Sequence, residues 1–385
     1  MNTGYSLRQS EENLIKVIII DDSAFMRKSL TLMMESDPEI RVIATARDGE
    51  EGIAKISKMK PDIVTLDIEM PGMNGLTALK IIMEQMPVPV LMVSSLTTEG
   101  AQSTIQAFDL GAVDFISKDL ASISTNIKYI KDELIEKIKQ IARSRLIQTR
   151  FRMRRLAQSS HEKTSPIKPA SKPVSFESVA VNFQAVVVGI STGGPEVLHK
   201  LIPSIPEHFP IGMAIVQHMP PHFTRSLAER LNSISKVYVK EAEHGELIEP
   251  GKVLIAPGGR QMTFYSNGTG VTTEISDNPF NALYKPSADI MMKSASTTFH
   301  GPLLGVIMTG MGRDGVEGLK SIKSKGGYVL AQEEESCIVY GMPQAALEEG
   351  VVDSMVSLEN ISLSFHRLTK IKEQAYRSVG KGDGI

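Results

Sequence analysis

Tryptophan is absent from the 385 residues, and cysteine occurs once, at Cys337. A lone cysteine excludes an intramolecular disulfide and makes a reducing, cytoplasmic setting the expected one. Aromatic residues make up 5% of the chain, which argues against extended base-stacking surfaces. Charge of one sign is also missing: 42 Lys and Arg face 44 Asp and Glu, for a formal charge of −2. That balance gives no general pull toward nucleic acid or an acidic membrane. No run of about 18 apolar residues occurs, so no membrane span or membrane insertion is expected. The polar stretch Met1–Asn13, with Glu11 and Glu12, lacks the basic-then-apolar order of a secretory signal. No repeat of solenoid length is present. What remains is an ordinary globular composition, 42% apolar, long enough for two or three domains.

From Lys16 onward, short apolar runs alternate with helical periodicity. Residues 16–20 read as a strand buried on both faces. Further strands are expected at 42–46, 63–66, 90–93 and 113–116, with helices at 24–36, 50–59, 76–85 and 99–110. Five β-α units imply a doubly wound parallel sheet, in which function collects at the carboxyl ends of the strands. Those ends carry Asp21 and Asp22, then Asp67 with Glu69 close behind, then Ser94 and Ser95, and finally Lys118. Carboxylates so close repel one another unless a hard cation holds them, and Mg²⁺ suits oxygen ligands beside a phosphate. One carboxylate can then attack a phosphoryl group, while the lysine and a hydroxyl pair with the new phosphate. Solvated loop acids account for any one of these residues but not for the set in register.

The segments Ile18-Ile-Ile-Asp-Asp22, Leu66-Asp-Ile-Glu-Met-Pro-Gly-Met-Asn-Gly75 and Met92-Val-Ser-Ser95 resemble the response-regulator receiver family. The resemblance implies a flavodoxin-like fold, a five-stranded parallel sheet in order 2-1-3-4-5. It also implies phosphorylation at Asp67 and Mg²⁺ held by Asp21, Asp22, Asp67 and the carbonyl of Glu69. Ser94 would be the switch hydroxyl and Lys118 the phosphate-sensing cation. Asp119 departs from the family, which usually has proline after the lysine. The receiver is expected to span residues 14–130.

Residues 131–182 are expected to form a helical and flexible linker. Helical spacing runs from Ile127 to Leu156 and turns basic at Arg143, Arg145, Arg150, Arg152, Arg154 and Arg155. Residues 158–178 are rich in Ser, Pro and Lys and lack periodicity. Phe151 alone interleaves with these arginines, so a solvated helix face, or one packed on an acidic surface, is expected ahead of nucleic-acid contact.

The second domain, 183–370, is organised around Ala185-Val-Val-Val-Gly-Ile-Ser-Thr-Gly-Gly-Pro195. This β-branched run enters a glycine-rich turn and then a helix, which lifts Ser191 above a sheet end and aims helix N-terminal N–H groups at its neighbour. Strands are expected at 186–190, 212–217, 237–240, 252–256, 303–309 and 328–332, and helices at 195–201, 223–233, 287–297 and 315–325. A hairpin is expected near 261–273, where Ser266-Asn-Gly268 signals a turn. This is again a mainly parallel, doubly wound α/β arrangement. Ser191, His218 and Asp314 each follow a strand and can meet on one rim. An imidazole, titrating near pH 6.5, can take the proton of a serine hydroxyl, and a carboxylate can fix its tautomer. Gly310-Met311-Gly312 suits a turn that binds an oxyanion. A dinucleotide loop at Ser191 would want an acidic residue at the end of the next strand, where Gln217 and His218 stand instead. His222 is the rival base. Asp314 could merely cap the following helix, and its rival Asp289 reads as mid-helix. The chain order Ser, His, Asp also differs from that of α/β-hydrolases, so that fold is not assigned.

Gly189-Ile-Ser-Thr-Gly-Gly194, Gln217-His-Met-Pro-Pro-His-Phe-Thr-Arg225, Lys240-Glu-Ala-Glu243, Ile255-Ala-Pro-Gly258, Thr309-Gly-Met-Gly312 and Tyr340-Gly-Met-Pro343 resemble the chemotaxis protein-glutamate methylesterase family. The resemblance implies a triad of Ser191, His218 and Asp314, with the backbone N–H of Met311 in the oxyanion hole. It implies phosphorylation-activated hydrolysis of glutamate γ-methyl esters, and deamidation of glutamine, on methyl-accepting chemoreceptors. A chemotaxis histidine kinase would be the phosphodonor, and the unmodified receiver would block the catalytic rim. No cofactor is expected in the catalytic domain, no nucleic-acid partner is expected, and a monomer is expected. Ile190, Arg313 and Lys285 stand where the family more often has a small residue, asparagine and arginine. The competing reading is a receptor-docking module without chemistry, gated by the receiver.

Overall fold

The computed structural model describes residues 14–118, 123–144, 151, 153 and 182–379. The chain divides into two compact units, Met1–Pro166 and Ile167–Ile385. In the first, alternating strands and helices give β1 (Ile15–Ile20), α1 (Ala24–Met34), β2 (Ile40–Ala46), α2 (Gly49–Met59), β3 (Ile63–Asp67), α3 (Gly75–Gln85), β4 (Val90–Ser94), α4 (Thr98–Leu110), β5 (Asp114–Ser117) and α5 (Ile123–Arg143). The strands pair in parallel in the order β2-β1-β3-β4-β5, as expected. Helix starts are fixed by short polar side chains. Ser23, Asp48, Asn74 and Thr97 each accept a hydrogen bond from an amide in the first turn of the helix that follows. The expected boundaries shift by one or two residues at most ends, and β3 and β4 reach Asp67 and Ser94 themselves.

Helix α5 lays Leu134, Ile138 and Ile141 in the core of this unit. Lys137 is buried with them, paired with Asp114 at 3.1 Å and Glu133 at 3.3 Å. Near its C-terminal end, Lys139 pairs with Asp37 and Glu39, and Arg143 with Glu39. Of the expected basic run, Arg143 is described, and it pairs with an acidic residue of this unit. Arg145, Arg150, Arg152, Arg154, Arg155, Asp119 and the stretch 158–178 lie outside the described residues.

The second unit comprises β6 (Ala185–Ile190), α6 (Gly194–Leu201), β7 (Gly212–Gln217), α7 (Phe223–Ile234), β8 (Tyr238–Glu241), β9 (Lys252–Ile255), β10 (Gln261–Ser266), β11 (Val271–Ser276), α8 (Ala288–Thr298), β12 (Leu304–Ile307), α9 (Val316–Ser324), β13 (Tyr328–Gln332), α10 (Met342–Glu348), β14 (Ser354–Val356) and α11 (Leu358–Val379). Seven strands form one parallel sheet, β14-β13-β12-β6-β7-β9-β8. The expected hairpin is the antiparallel pair β10-β11. The strand read at 303–309 is shorter, because Thr309 gives its N–H to the buried side chain of Gln332 at 2.9 Å instead of to a neighbouring strand. Helices α10 and α11 and strand β14 were not anticipated by the pattern.

The central strand β6 is buried along its whole length. Helices α8, α9 and α10 share an apolar cluster over the sheet, with Met291, Met292, Leu319, Ile322 and Ala346 among its members. Helix α11 is anchored by Phe365 against Phe209, ring centroids 6.2 Å apart. From β6 the chain builds outward to β7, β9 and β8, then returns to β6's other edge at β12. That reversal opens a crevice at the carboxyl ends of β6 and β12. Among the described residues no helix is long and apolar enough to cross a membrane.

Candidate functional site

Two rims carry the chemistry-bearing residues, one in each unit. In the first, β1 and β3 are neighbours where the strand order reverses. Asp21, Asp22 and Asp67 each offer an oxygen, all within 4.8 Å of one another, with Asp21 and Asp67 buried. Lys118, just past β5, brings Nζ to 2.5 Å from Asp67 Oδ2 and 3.3 Å from Asp21 Oδ2. Burial pushes the carboxyl of Asp67 up to about 6; Lys118 works against the shift and Asp21 adds to it. Burial alone would lower Lys118, but Asp67 and Asp21 outweigh it and hold the ammonium above its usual range. A set of hard oxygen donors with mutual repulsion, two of them buried, fits a small divalent cation.

Glu69 joins this rim through its amide, which donates to Asp67 Oδ1 at 3.1 Å, and its side chain accepts from Ser95 Oγ at 3.3 Å. Ser94 lies here too, but its hydroxyl donates to the carbonyls of Gly100 (3.2 Å) and Ser95 (3.3 Å), not to Asp67. Its backbone carbonyl accepts the amide of Lys118 at 2.7 Å.

The second rim is assembled by strand register. Ile190 pairs with Gln217 across β6 and β7, so Ser191 and His218, each one residue further, are neighbours. The Ser191 amide donates to Thr309 O, and the His218 amide donates to Ile190 O. The turn after Ser191 closes through Gly193 at φ +75°, a left-handed conformation that favours glycine. The Gln217 side chain locks it by donating to the Ser191 carbonyl at 2.9 Å.

Asp314 arrives from the loop between β12 and α9, and its Oδ2 lies 2.8 Å from His218 Nε2. Four donors surround this carboxylate. Ser287 Oγ (2.8 Å) and the amide of Asp289 (3.2 Å) reach Oδ1; the amide of Ala288 (2.6 Å) and His218 reach Oδ2. Burial alone would raise its pKa, but the bonds from His218, Ser287 and Ala288 outweigh it and hold the group below the usual carboxylate value. Three of these donors belong to the N-terminus of α8, whose positive end favours an anion. Since a carboxylate can only accept, the proton between the two groups resides on Nε2, and Nδ1 is the basic nitrogen. Serine proteases of the chymotrypsin type hold the opposite ring nitrogen. Ser191 Oγ and His218 form no hydrogen bond in this structure; such contacts often tighten only when substrate binds.

Gly310 crosses directly over Ser191. A Cβ at Gly310 would lie 2.8 Å from the Ser191 Cβ and 2.3 Å from Met342 Sδ. This close approach sets Gly310, the residue before Met311, against the serine. The rival base His222 is exposed, sits at the start of α7 with φ +72°, and is not the histidine that meets Asp314.

Asp289 corrects an expectation. It is the second residue of α8, not a mid-helix position, and its Oδ1 accepts the amides of Gly315 (3.0 Å) and Gly318 (2.8 Å) at the start of α9. Asp314 and Asp289 thus each cap the other's helix. Burial raises the pKa of Asp289, with the charge of Asp314 adding to the shift.

Two further contacts were missed. The ring of Tyr284 stacks on His218 with centroids 4.5 Å apart and planes 4° from parallel. Ser287 is both the N-cap of α8 and a donor to Asp314. The cap was readable, since serine precedes an apolar-periodic run. The stack was not.

Comparison with known proteins extends this picture. The family description "CheB methylesterase" matches residues 186–364, and "Response regulator receiver domain" matches residues 17–127. The protein-glutamate methylesterase/protein-glutamine glutaminase 1 of Oleidesulfovibrio alaskensis is 48% identical over 361 residues, covering 91% of this chain and 98% of that one. The protein-glutamate methylesterase/protein-glutamine glutaminase of Lawsonia intracellularis is 46% identical over 353 residues, covering 91% and 98%. Among solved structures, the CheB methylesterase catalytic domain of Thermotoga maritima is 39% identical and covers 49% of this chain and all of its own, with a TM-score of 0.47.

Proposed function

The chain belongs to the protein-glutamate methylesterase/protein-glutamine glutaminase family and is a carboxylic ester hydrolase with a receiver domain; from that premise we propose that Ser191, His218 and Asp314 are its catalytic triad and that phosphorylation of Asp67 switches it on. Ser191 Oγ attacks the γ-carbonyl of a methyl-esterified glutamate on a chemoreceptor while His218 Nδ1 takes its proton. His218 returns the proton to the departing methanol, and a water molecule, deprotonated by the same nitrogen, frees the glutamate. Glutamine follows the same acyl chemistry with ammonia leaving. The observation that carries this reading is the Asp314 carboxylate surrounded by four donors, which fixes the proton on Nε2 of the histidine beside Ser191. The Met311 N–H is the proposed oxyanion donor, supported by the crossing of Gly310 over Ser191.

A Gly310→Ala substitution tests that crossing. Its methyl group must displace either Met342 or the serine, and loss of one oxyanion donor costs on the order of 10²–10³ in kcat. Methanol release at least about 100-fold slower in a folded variant is the expected result, and wild-type turnover would mean that the close approach of Gly310 to Ser191 does not position the oxyanion donor.

In the receiver, Asp21, Asp22, Asp67 and the carbonyl of Glu69 are the proposed Mg²⁺ ligands. The ion, when bound, offsets the charge of the carboxylates and of the incoming phosphoryl group. A chemotaxis histidine kinase is the proposed donor. Lys118 then exchanges Asp67 for the phosphate, and Ser94 gives up the carbonyls of Gly100 and Ser95 to reach it, which reshapes the start of α4. The switch acts in the cytoplasm by freeing the catalytic rim for receptor substrates.

The deciding experiment measures methanol release from methyl-esterified receptor with and without beryllofluoride and Mg²⁺. A rise of at least about tenfold is expected, equivalent to about 1.4 kcal/mol of bias between closed and open forms. The Asp67→Ala variant should not respond. Equal rates in both conditions would overturn the regulatory half.

A further inference from the structure

The nitrogen edges of the His218 imidazole are accounted for: Nε2 meets Asp314 at 2.8 Å, and Nδ1 is the basic nitrogen. A face of the same ring is covered by Tyr284, with centroids 4.5 Å apart and planes 4° from parallel. The Tyr284 ring is held from both ends. Its backbone carbonyl accepts from Gln261 Nε2 at 2.7 Å, and Gln261, fully buried, accepts the Ser287 amide at its Oε1, 2.9 Å away. At the far end of the ring, a Cβ placed on Gly312 would lie 3.3 Å from the Tyr284 hydroxyl, closer than ordinary van der Waals contact. Gly312 stands at φ +82°, so a residue without a Cβ suits both that turn and the ring beside it. The chain that carries Tyr284 continues into Ser287 and Ala288, which donate to Asp314 at 2.8 and 2.6 Å. One segment therefore supplies both the ring on the imidazole and the donors on its carboxylate partner.

A hydrogen bond at one edge aims Nε2 but leaves the ring plane free to tilt, because the directions accepted at a carboxylate oxygen are broad. A flat face against a clamped ring removes that freedom. Charge points the same way. When His218 takes the serine proton it becomes a cation, and a cation within about 6 Å of an aromatic centroid is attracted by the ring quadrupole. A neutral imidazole gains less from that face, so the attraction grows toward the transition state. A contact of that kind raises kcat and leaves KM alone. The His218 side chain is 12% exposed, so water screens the attraction little. We propose that Tyr284 is a positioning residue of the ester hydrolysis, which holds the plane of His218 and stabilises its imidazolium through the ring face. The inference rests on the triad reading and adds a residue to it: Asp314 serves the imidazole at its edge, and Tyr284 serves it at its face.

The test uses the full chain activated with beryllofluoride and Mg²⁺, as wild type and with Tyr284→Leu, Tyr284→Met or Tyr284→Phe. Three quantities are measured: kcat and KM for methanol release from methyl-esterified receptor, and the rate at which a small fluorophosphonate labels Ser191. The final extent of labelling counts the folded sites, so kcat is expressed per competent site. Leucine and methionine fill the space without a ring face. Each should lower kcat by about 10–30-fold, the loss of a cation–π contact shielded from water, and slow labelling similarly, with KM changed by less than about twofold. Phenylalanine keeps the face and should keep kcat and labelling within about threefold of wild type. Wild-type kcat in the leucine and methionine variants would mean that the ring only fills space. A rise in KM with labelling unchanged would mean that Tyr284 touches substrate and not the base. A phenylalanine variant as slow as the leucine one would make the hydroxyl the acting group. A chain that folds only with a ring at position 284 would make Tyr284 an element of the fold. Each of these four results overturns the proposal. Methanol release that survives Ser191→Ala is a separate outcome, which would remove the triad reading and this inference with it.

Discussion

Replacing Ser191 by alanine is expected to slow methanol release by about 10⁶-fold, the usual consequence of removing the nucleophile of a triad. Three other hydroxyl or thiol groups of this unit are held out of the role. The Thr309 hydroxyl is buried and committed to Thr192 O and Val339 O. Ser287 is committed to Asp314. The thiol of Cys337 is buried, and that burial, with Glu334 and Glu335 adding to it, pushes its pKa far above the usual thiol range, so it stays protonated and inert. The fold should not notice the change. Ser191 is tied in by its backbone, through Thr309 O, the amide of Gly194 and Gln217 Nε2, and alanine keeps the Cβ that Gly310 packs against. An unchanged melting temperature beside lost turnover is therefore the expected pair of results. A variant that retains more than about a tenth of the wild-type rate would mean that the acyl-enzyme mechanism is wrong.

The residues of both rims were legible because a parallel strand announces its own end. The run Lys16–Ile20 stops at Asp21, and 212–217 stops at His218, and an apolar run that stops must turn at the sheet edge. Adjacent strands then bring such ends together without any signal in the sequence between them. Direction of side chains was not legible in this way. Nothing local says that Ser94 turns its hydroxyl to Gly100 or that His218 offers Nε2 to Asp314. Those choices are made by backbone groups from other elements. The Tyr284 stack joins residues 66 positions apart (284 − 218) through a segment with no periodicity, so no pattern rule reaches it. Asp289 was misread for a related reason. The helix pattern gave its period but not the partner waiting at its N-terminus, the amides of Gly315 and Gly318. Strand β14 has three residues and lies at the edge of the sheet, too short for alternation to register.

The second large effect is expected at Asp314. Asparagine there keeps the size and shape of the side chain, yet kcat should fall by about 10⁴-fold, as for the equivalent change in other triads. The reason lies in the donors. All four groups around the carboxylate donate, two at each oxygen, and an amide can accept at only one of its two positions. If its nitrogen faces His218, it meets the Ala288 amide head-on and forces the ring to accept at Nε2. The proton then moves to Nδ1, and the nitrogen that should take the serine proton is occupied. If the nitrogen faces Ser287 instead, the tautomer survives, but the negative charge that stabilises the imidazolium is gone and the Asp289 amide loses its partner. Neither arrangement restores a working base. Stability should fall as well, by about 2 kcal/mol near neutral pH, because hydrogen bonds to a charged acceptor at the start of α8 are lost. The pH dependence has a definite sign. The folded pKa of Asp314 lies below its usual 3.8, so its contribution is fully present above that value and is lost as pH falls through the lower, folded value. The gap in melting temperature between wild type and variant should be constant near neutral pH and close at strongly acidic pH. A kcat loss below about tenfold would mean that Asp314 is only a helix cap, and a gap that widens on acidification would mean that these donors do not hold its carboxylate ionised.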